Sequence, residues 1–169
     1  MDPVAVIREL GGDAIFHVHA KDTRLDKYNM AKNGALDTKS YADEAHRSWI
    51  FRSVGYGNDL LYWKDIISAL RLVGYDYAIS IEHEGGMSNG AVCTQACIDA
   101  SARLCADIAL RYGWTKLWHD GLKGNVWLHR EIPGTDHLAC PDLAPNGLPY
   151  KQIIDKANQI LEGGSMSNA

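Results

Sequence analysis

The chain has 169 residues, 46% of them hydrophobic, and a formal net charge of −4. That length allows one ordinary core but is short of the roughly 200 residues a complete eight-stranded α/β barrel needs. The negative balance, without any block of like charge, speaks against a nucleic-acid groove or a charged interaction tail. No apolar run reaches the length of a membrane span, and Met1-Asp2-Pro3-Val4 lacks the basic head of a signal peptide. The expectation is a soluble protein made in the cytoplasm, with neither nucleic acid nor membrane as partner.

Taken in order, Asp2 caps a first helix with Pro3 at its first position, Val4, Ile7 and Leu10 mark its apolar side, and Gly11-Gly12 ends it. A strand over residues 14–22 follows, whose alternation puts His17, His19 and Lys21 on one face and Phe16, Val18 and Ala20 on the other. Residues 23–57 carry little periodicity and read as a long excursion, with a short helix around Tyr41–Ser48 and a turn at Asn33-Gly34. Asn58 or Asp59 opens a helix with Trp63, Ile66, Ile67, Leu70 and Val73 inward, closed by Gly74.

Next comes the stretch on which the chain turns, Tyr77-Ala78-Ile79-Ser80-Ile81-Glu82-His83-Glu84. Alternation places Ser80, Glu82 and Glu84 on one face and Ile79, Ile81 and His83 on the other. Acids at the end of a buried strand are costly unless they meet a metal, a cation or a substrate, which makes Glu82 and Glu84 functional candidates. A helix over about Val92–Tyr112 follows, with Cys97, Leu104, Cys105 and Ile108 on one side and Gly113 as its stop. Cys93, Cys97 and Cys105 share that helical spacing and read as free thiols, not as a disulfide framework. A short apolar run, Val126-Trp127-Leu128, delivers His129, and a Pro-Gly loop carries His137 and Cys140. Asn146-Gly147-Leu148-Pro149 turns into a last helix with Ile153, Ile154, Ala157, Ile160 and Leu161 inward, ending at Gly163-Gly164.

Helix, strand, excursion, helix, strand implies parallel strands covered by helices. The run from Phe16-His17-Val18-His19-Ala20-Lys21-Asp22 through Arg47-Ser48-Trp49-Ile50-Phe51-Arg52, Trp63–Leu70 and Gly74-Tyr75-Asp76 into Ser80–Glu84 resembles the last quarter of a xylose-isomerase-like sugar phosphate isomerase/epimerase, a TIM barrel. The resemblance covers residues 1–84 and implies a divalent metal, Mn²⁺ or Mg²⁺, held here by His19 and Glu82, with a small sugar or sugar phosphate as substrate. The strands that supply the other two ligands in that family are missing, so such a site needs further copies, as in a homo-oligomer, or a missing half.

His129 and Cys140 offer an imidazole and a thiolate, the donor types Zn²⁺ prefers, and His137 between them can steady a tetrahedral intermediate. The sequence from about Ser80 to Gly163 resembles the C-terminal part of the type 2 N-acetylmuramoyl-L-alanine amidases, the phage-endolysin and peptidoglycan-recognition-like group. That resemblance rests on Ser80-Ile81-Glu82-His83-Glu84-Gly85, a long helix, and His129 followed by Pro133-Gly134-Thr135-Asp136-His137 and Cys140. It implies peptidoglycan or a muropeptide as substrate, His129 and Cys140 as zinc ligands, His137 at the catalytic Lys or His position, and Glu82 as the acid of the central strand. The stretch that brings the first zinc histidine in that family is replaced by isomerase-like sequence. His19, or in second place His17, lies about where that ligand falls, and the chemistry admits a composite zinc site of His19, His129 and Cys140, with Glu82 or Glu84 as the base.

The expected architecture is therefore α/β, a small parallel or mixed sheet with helices on its faces. It joins a partial barrel segment, residues 1–84, to a partial amidase segment, residues 85–163, with a tail at 164–169. Three functions stand beside one another: a zinc amidase, with phage-type release as one route out of the cell; an isomerase/epimerase fragment; and an inactive fusion of two incomplete enzymes. The plainer readings make His17 a strand-end histidine, Cys140 a buried thiol, and Trp49, Trp63, Trp114, Trp118 and Trp127 packing residues.

Overall fold

The computed structural model describes residues 2–83 and 92–165. Five α-helices run over Pro3–Leu10 (α1), Lys27–Asn33 (α2), Leu60–Leu72 (α3), Gln95–Tyr112 (α4) and Tyr150–Ser165 (α5). Four strands run over Val18–Ala20 (β1), Asp22–Leu25 (β2), Trp49–Arg52 (β3) and Ile79–Ile81 (β4). Their starts follow local chemistry. Asp2 accepts the Ala5 N–H, Asp26 those of Tyr28 and Asn29, Asp59 that of Tyr62, and Thr94 that of Cys97, each silencing N–H groups a first helical turn leaves open. Gly113 closes α4 in the left-handed conformation, at a φ of 75°.

Instead of one small sheet the described residues form two, each of two strands. β1 pairs with β4 in parallel, setting His19 beside Ser80 and Ala20 beside Ile81; β2 pairs antiparallel with β3, setting Asp22 beside Arg52 and Leu25 beside Trp49. The single strand expected over residues 14–22 is thus split at Lys21, and the chain passes from one sheet to the other across that residue. Within the supposed excursion, Trp49–Arg52 is a strand and Lys27–Asn33 a helix; the helix expected around Tyr41–Ser48 shrinks to a 3₁₀ turn at Glu44–His46. The described strands form no barrel segment.

Among the described residues two apolar clusters meet on α4. Ala20, Val54, Trp63, Ile66, Ile67, Leu70 and Tyr75 gather with Leu104 and Ile108 from one side of α4. Ile98, Ala102, Ala106 and Ala109 from its other side gather with Leu117 and with Ile153, Ala157 and Leu161 of α5. The alanines let α4 and α5 approach closely, while α3 packs its predicted face on the first cluster. Fully burying each large aliphatic side chain contributes about 1.5–3 kcal/mol, so helix packing, not the short sheets, holds the molecule together. Cys97 is buried, Cys93 and Cys105 are partly so, and all are free thiols, as their spacing predicts.

Candidate functional site

The parallel pairing of β1 with β4 determines what stands at their C-terminal ends. Because side chains alternate, His17, His19 and Lys21 rise on the same side as Ser80 and Glu82. His17 Nε2 lies 2.8 Å from Ser80 Oγ, and its ring meets that of His19 edge-on at 4.5 Å. Glu82 takes His19 Nδ1 at 3.3 Å on one oxygen and Lys21 Nζ at 2.8 Å on the other. The hydrogen bond from Lys21 outweighs partial burial and keeps the Glu82 carboxyl below its ordinary pKa. Exposed pairs of this kind stabilise a fold by about 0–1 kcal/mol; what this one provides is an ionised carboxylate held in a known orientation. His83 points the other way, into the protein, as alternation requires. Its Nε2 is 2.5 Å from Ser101 Oγ of α4, and burial drives its pKa down to about 4, so it stays neutral.

Lys21 is held in place by its neighbour. Asp22 is fully buried and accepts N–H groups from Thr23 (2.8 Å), Gly55 (2.9 Å), Gly57 (2.9 Å) and Asn58 (3.1 Å), the Asn58 side-chain amide (2.7 Å) and Trp63 Nε1 (3.3 Å). Burial raises its pKa, and these donors more than reverse that, leaving it lowered. A side chain at Gly57 would collide with the Thr23 backbone and the Asp22 carboxylate, so only glycine lets the loop close over the acid. Sequence reasoning placed Asp22 at a strand end and missed its role. Its signal was the pairing of an inward-parity aspartate with Gly55-Tyr56-Gly57-Asn58, whose bare N–H groups need an acceptor.

The segment from Gly113 to Pro149 is shaped by side-chain bonds. Its apolar run at residues 126–128 leads into a 3₁₀ turn, His129–Glu131. Glu131 accepts the Leu128 N–H at 3.1 Å, sits 2.9 Å from His119 Nε2, and pairs with Arg130, while Arg130 grips Asp142 with two nitrogens at 2.8 and 3.1 Å. Burial pushes the Glu131 pKa up, but the His119 hydrogen bond and the Leu128 N–H carry it below the ordinary value; the Arg130 hydrogen bond lowers that of Asp142. This network returns the loop on itself: the Arg130 N–H donates to the Cys140 carbonyl at 2.8 Å and the Cys140 N–H to the His137 carbonyl at 3.1 Å. His129 and His137 thereby stack, ring centres 4.5 Å apart and 24° from parallel.

The predicted residues thus form two groups, His19 with Glu82, and His129 with His137 and Cys140. The groups are within electrostatic reach. The Cys140 thiol is pushed up first by burial, then by the charges of Asp142 and of Glu82. Glu84, the other candidate base, lies outside the described residues. Imidazole and thiolate are donors zinc accepts, but His19 is engaged by Glu82 and His129 by the His137 ring. Among the described residues no three His, Cys, Asp or Glu side chains stand together closely enough to hold a metal ion. As arranged, the set does not fit Zn²⁺, and among the described residues His19 and Glu82 acquire no third ligand suited to Mn²⁺ or Mg²⁺.

Comparison with known proteins gives this geometry a context. A stretch of 83 residues is 46% identical to the uncharacterized protein YfiH of Bacillus subtilis (strain 168), covering 49% of this chain and 26% of that one. The chain thus spans about a quarter of the length of the curated relative it matches. No solved structure matches it. The family model for N-acetylmuramoyl-L-alanine amidase matches residues 18–142. That match opens at β1, closes at Asp142, and takes in both groups of candidate residues; the comparisons lend no support to an isomerase segment. Since it spans well over half of the sequence, the chain belongs to the N-acetylmuramoyl-L-alanine amidase family.

Proposed function

We propose that this chain hydrolyses the amide bond between the lactyl group of an N-acetylmuramoyl sugar and the L-alanine of a peptidoglycan stem peptide. The observation that carries the reading is a family match over residues 18–142, which takes in both the Glu82 cluster and the His129–His137–Cys140 loop. The ionised Glu82 carboxylate takes a proton from water as the water oxygen attacks the amide carbonyl carbon. An N–H of His137 donates to the oxyanion that develops, with His129 stacked behind it to limit its rotation. Collapse breaks the C–N bond, and the proton held by Glu82 passes to the departing alanine amine, leaving a lactyl carboxylate and a free amino terminus.

The donor types of His19, His129 and Cys140 motivate a test for zinc, and no step above is routed through a metal. The purified chain is incubated with a soluble muropeptide, and new L-alanine amino termini are counted as made, after chelation, and with Zn²⁺ added, beside the metal content of the protein. Release of stem peptide that falls sharply in Glu82→Gln and His137→Ala supports the reading. No release in any of the three conditions would overturn it.

A further inference from the structure

The β2–β3 ribbon has two faces. Its pleat sends Asp22, Arg24, Ile50 and Arg52 to one side, so Thr23, Leu25, Trp49 and Phe51 share the other. On this second side Tyr41 and Phe51 lie nearly parallel, 16° apart with ring centres at 6.1 Å. Trp49 meets both edge-on, at 6.0 Å from Tyr41 and 5.2 Å from Phe51. Beneath them the buried Arg47 guanidinium stacks on Tyr41 at 4.1 Å and on Trp49 at 4.6 Å, and its Nε donates to the Trp49 carbonyl. Arg47 therefore braces Tyr41 and Trp49, yet Tyr41 remains 50% and Phe51 38% exposed. Aromatic rings that served only as core would be covered; these form an open shelf.

Lys21 ties that shelf to the candidate site. Its Nζ sits 4.2 Å from the Phe51 ring centre and 2.8 Å from Glu82 Oε2, so shelf and carboxylate are one ammonium group apart. We propose that Tyr41, Trp49 and Phe51 form a sugar-stacking subsite for an N-acetylated hexosamine ring of the glycan strand that carries the scissile amide. The inference rests on the amidase reading: the bond that family cuts joins a sugar to a peptide, so a sugar ring must lie beside the base. A pyranose has a face of C–H groups that packs on aromatic rings, and its hydroxyl and acetamide oxygens are acceptors for the Lys21 ammonium.

The test uses the whole chain and a peptide-free N-acetylglucosamine tetramer, with binding followed by calorimetry. Saturable binding is expected, weakened at least about tenfold in Phe51→Leu and in Tyr41→Leu, which keep apolar bulk but remove a ring. In the same variants KM for polymeric glycan substrate rises while that for a single-sugar muramoyl dipeptide moves less. Absence of binding by the native chain, or equal binding by both variants with native-like unfolding curves, overturns the shelf. So does a dimer in sedimentation that Phe51→Leu dissolves, because the face would then belong to a second copy. Glycan binding without amide hydrolysis supports the shelf and removes the amidase reading; hydrolysis without glycan binding does the reverse.

Discussion

The two sides of the candidate site are built by different means. On the β1/β4 side, main-chain pairing sets the direction of every side chain, and one buried aspartate collects the N–H groups of the adjoining loop. On the other side, among the described residues between Tyr112 and Tyr150, there is no strand or α-helix. There the His119–Glu131–Arg130–Asp142 network does the positioning. The first device is short-ranged and indifferent to salt; the second depends on charge, and weakens when charges are screened or titrated. A base needs a fixed direction, whereas groups that meet a developing oxyanion profit from a loop able to readjust.

The largest expected effect falls on the chemistry itself. Glu82→Gln keeps the shape of the β4 end and removes the proton acceptor, so hydrolysis of muropeptide should fall by about a hundred- to ten-thousandfold with the unfolding midpoint little changed. Next comes the frame. Asp22→Ala leaves several buried N–H groups without an acceptor and should cost about 3–5 kcal/mol in urea unfolding, with the loss unaffected by salt. Because folding lowers the Asp22 pKa, its contribution is complete above the ordinary value of 3.8 and disappears as pH falls through the lower folded value. Native stability should therefore drop below about pH 4 more steeply than that of Asp22→Asn.

Glu131→Gln probes the opposite side and should cost about 1–2 kcal/mol, with the gap to the native chain narrowing in about 1 M salt. If the Asp22→Ala gap narrows and the Glu131→Gln gap does not, the contrast between the two sides is wrong. The smallest effect is expected of Lys21→Met. Without the ammonium, Glu82 holds its proton to higher pH, so the acid limb of the pH–rate profile moves upward while kcat at saturating substrate stays near the native value and KM for glycan substrate rises.

What the sequence disclosed follows from what periodicity can express. The buried face of α3, the caps at Asp2 and Asp59, the common face of His17 and His19, and that of Ser80 and Glu82 are all local regularities that survive folding; only the β1–β4 pairing brings those two faces together. The ribbon was hidden because both of its strands are only four residues long, too short for alternation to register, and because its partners lie on either side of α2. The Glu131 network was invisible for a related reason. His119 and Asp142 are placed by loop geometry, and no spacing rule links them to Arg130 and Glu131. The zinc expectation drew on donor types and on a family resemblance, and neither says anything about convergence.

Lys21 is the single residue separating β1 from β2. Strand parity has a period of two, so the face each later side chain takes is counted through that one position. Inserting one residue there would leave β1 untouched and rotate the ribbon by half a pleat, turning Asp22 outward to water and Thr23 inward. The spacing between the two strands, as well as the identity of Lys21, is therefore under constraint, and a one-residue insertion should be far less tolerable than a two-residue one.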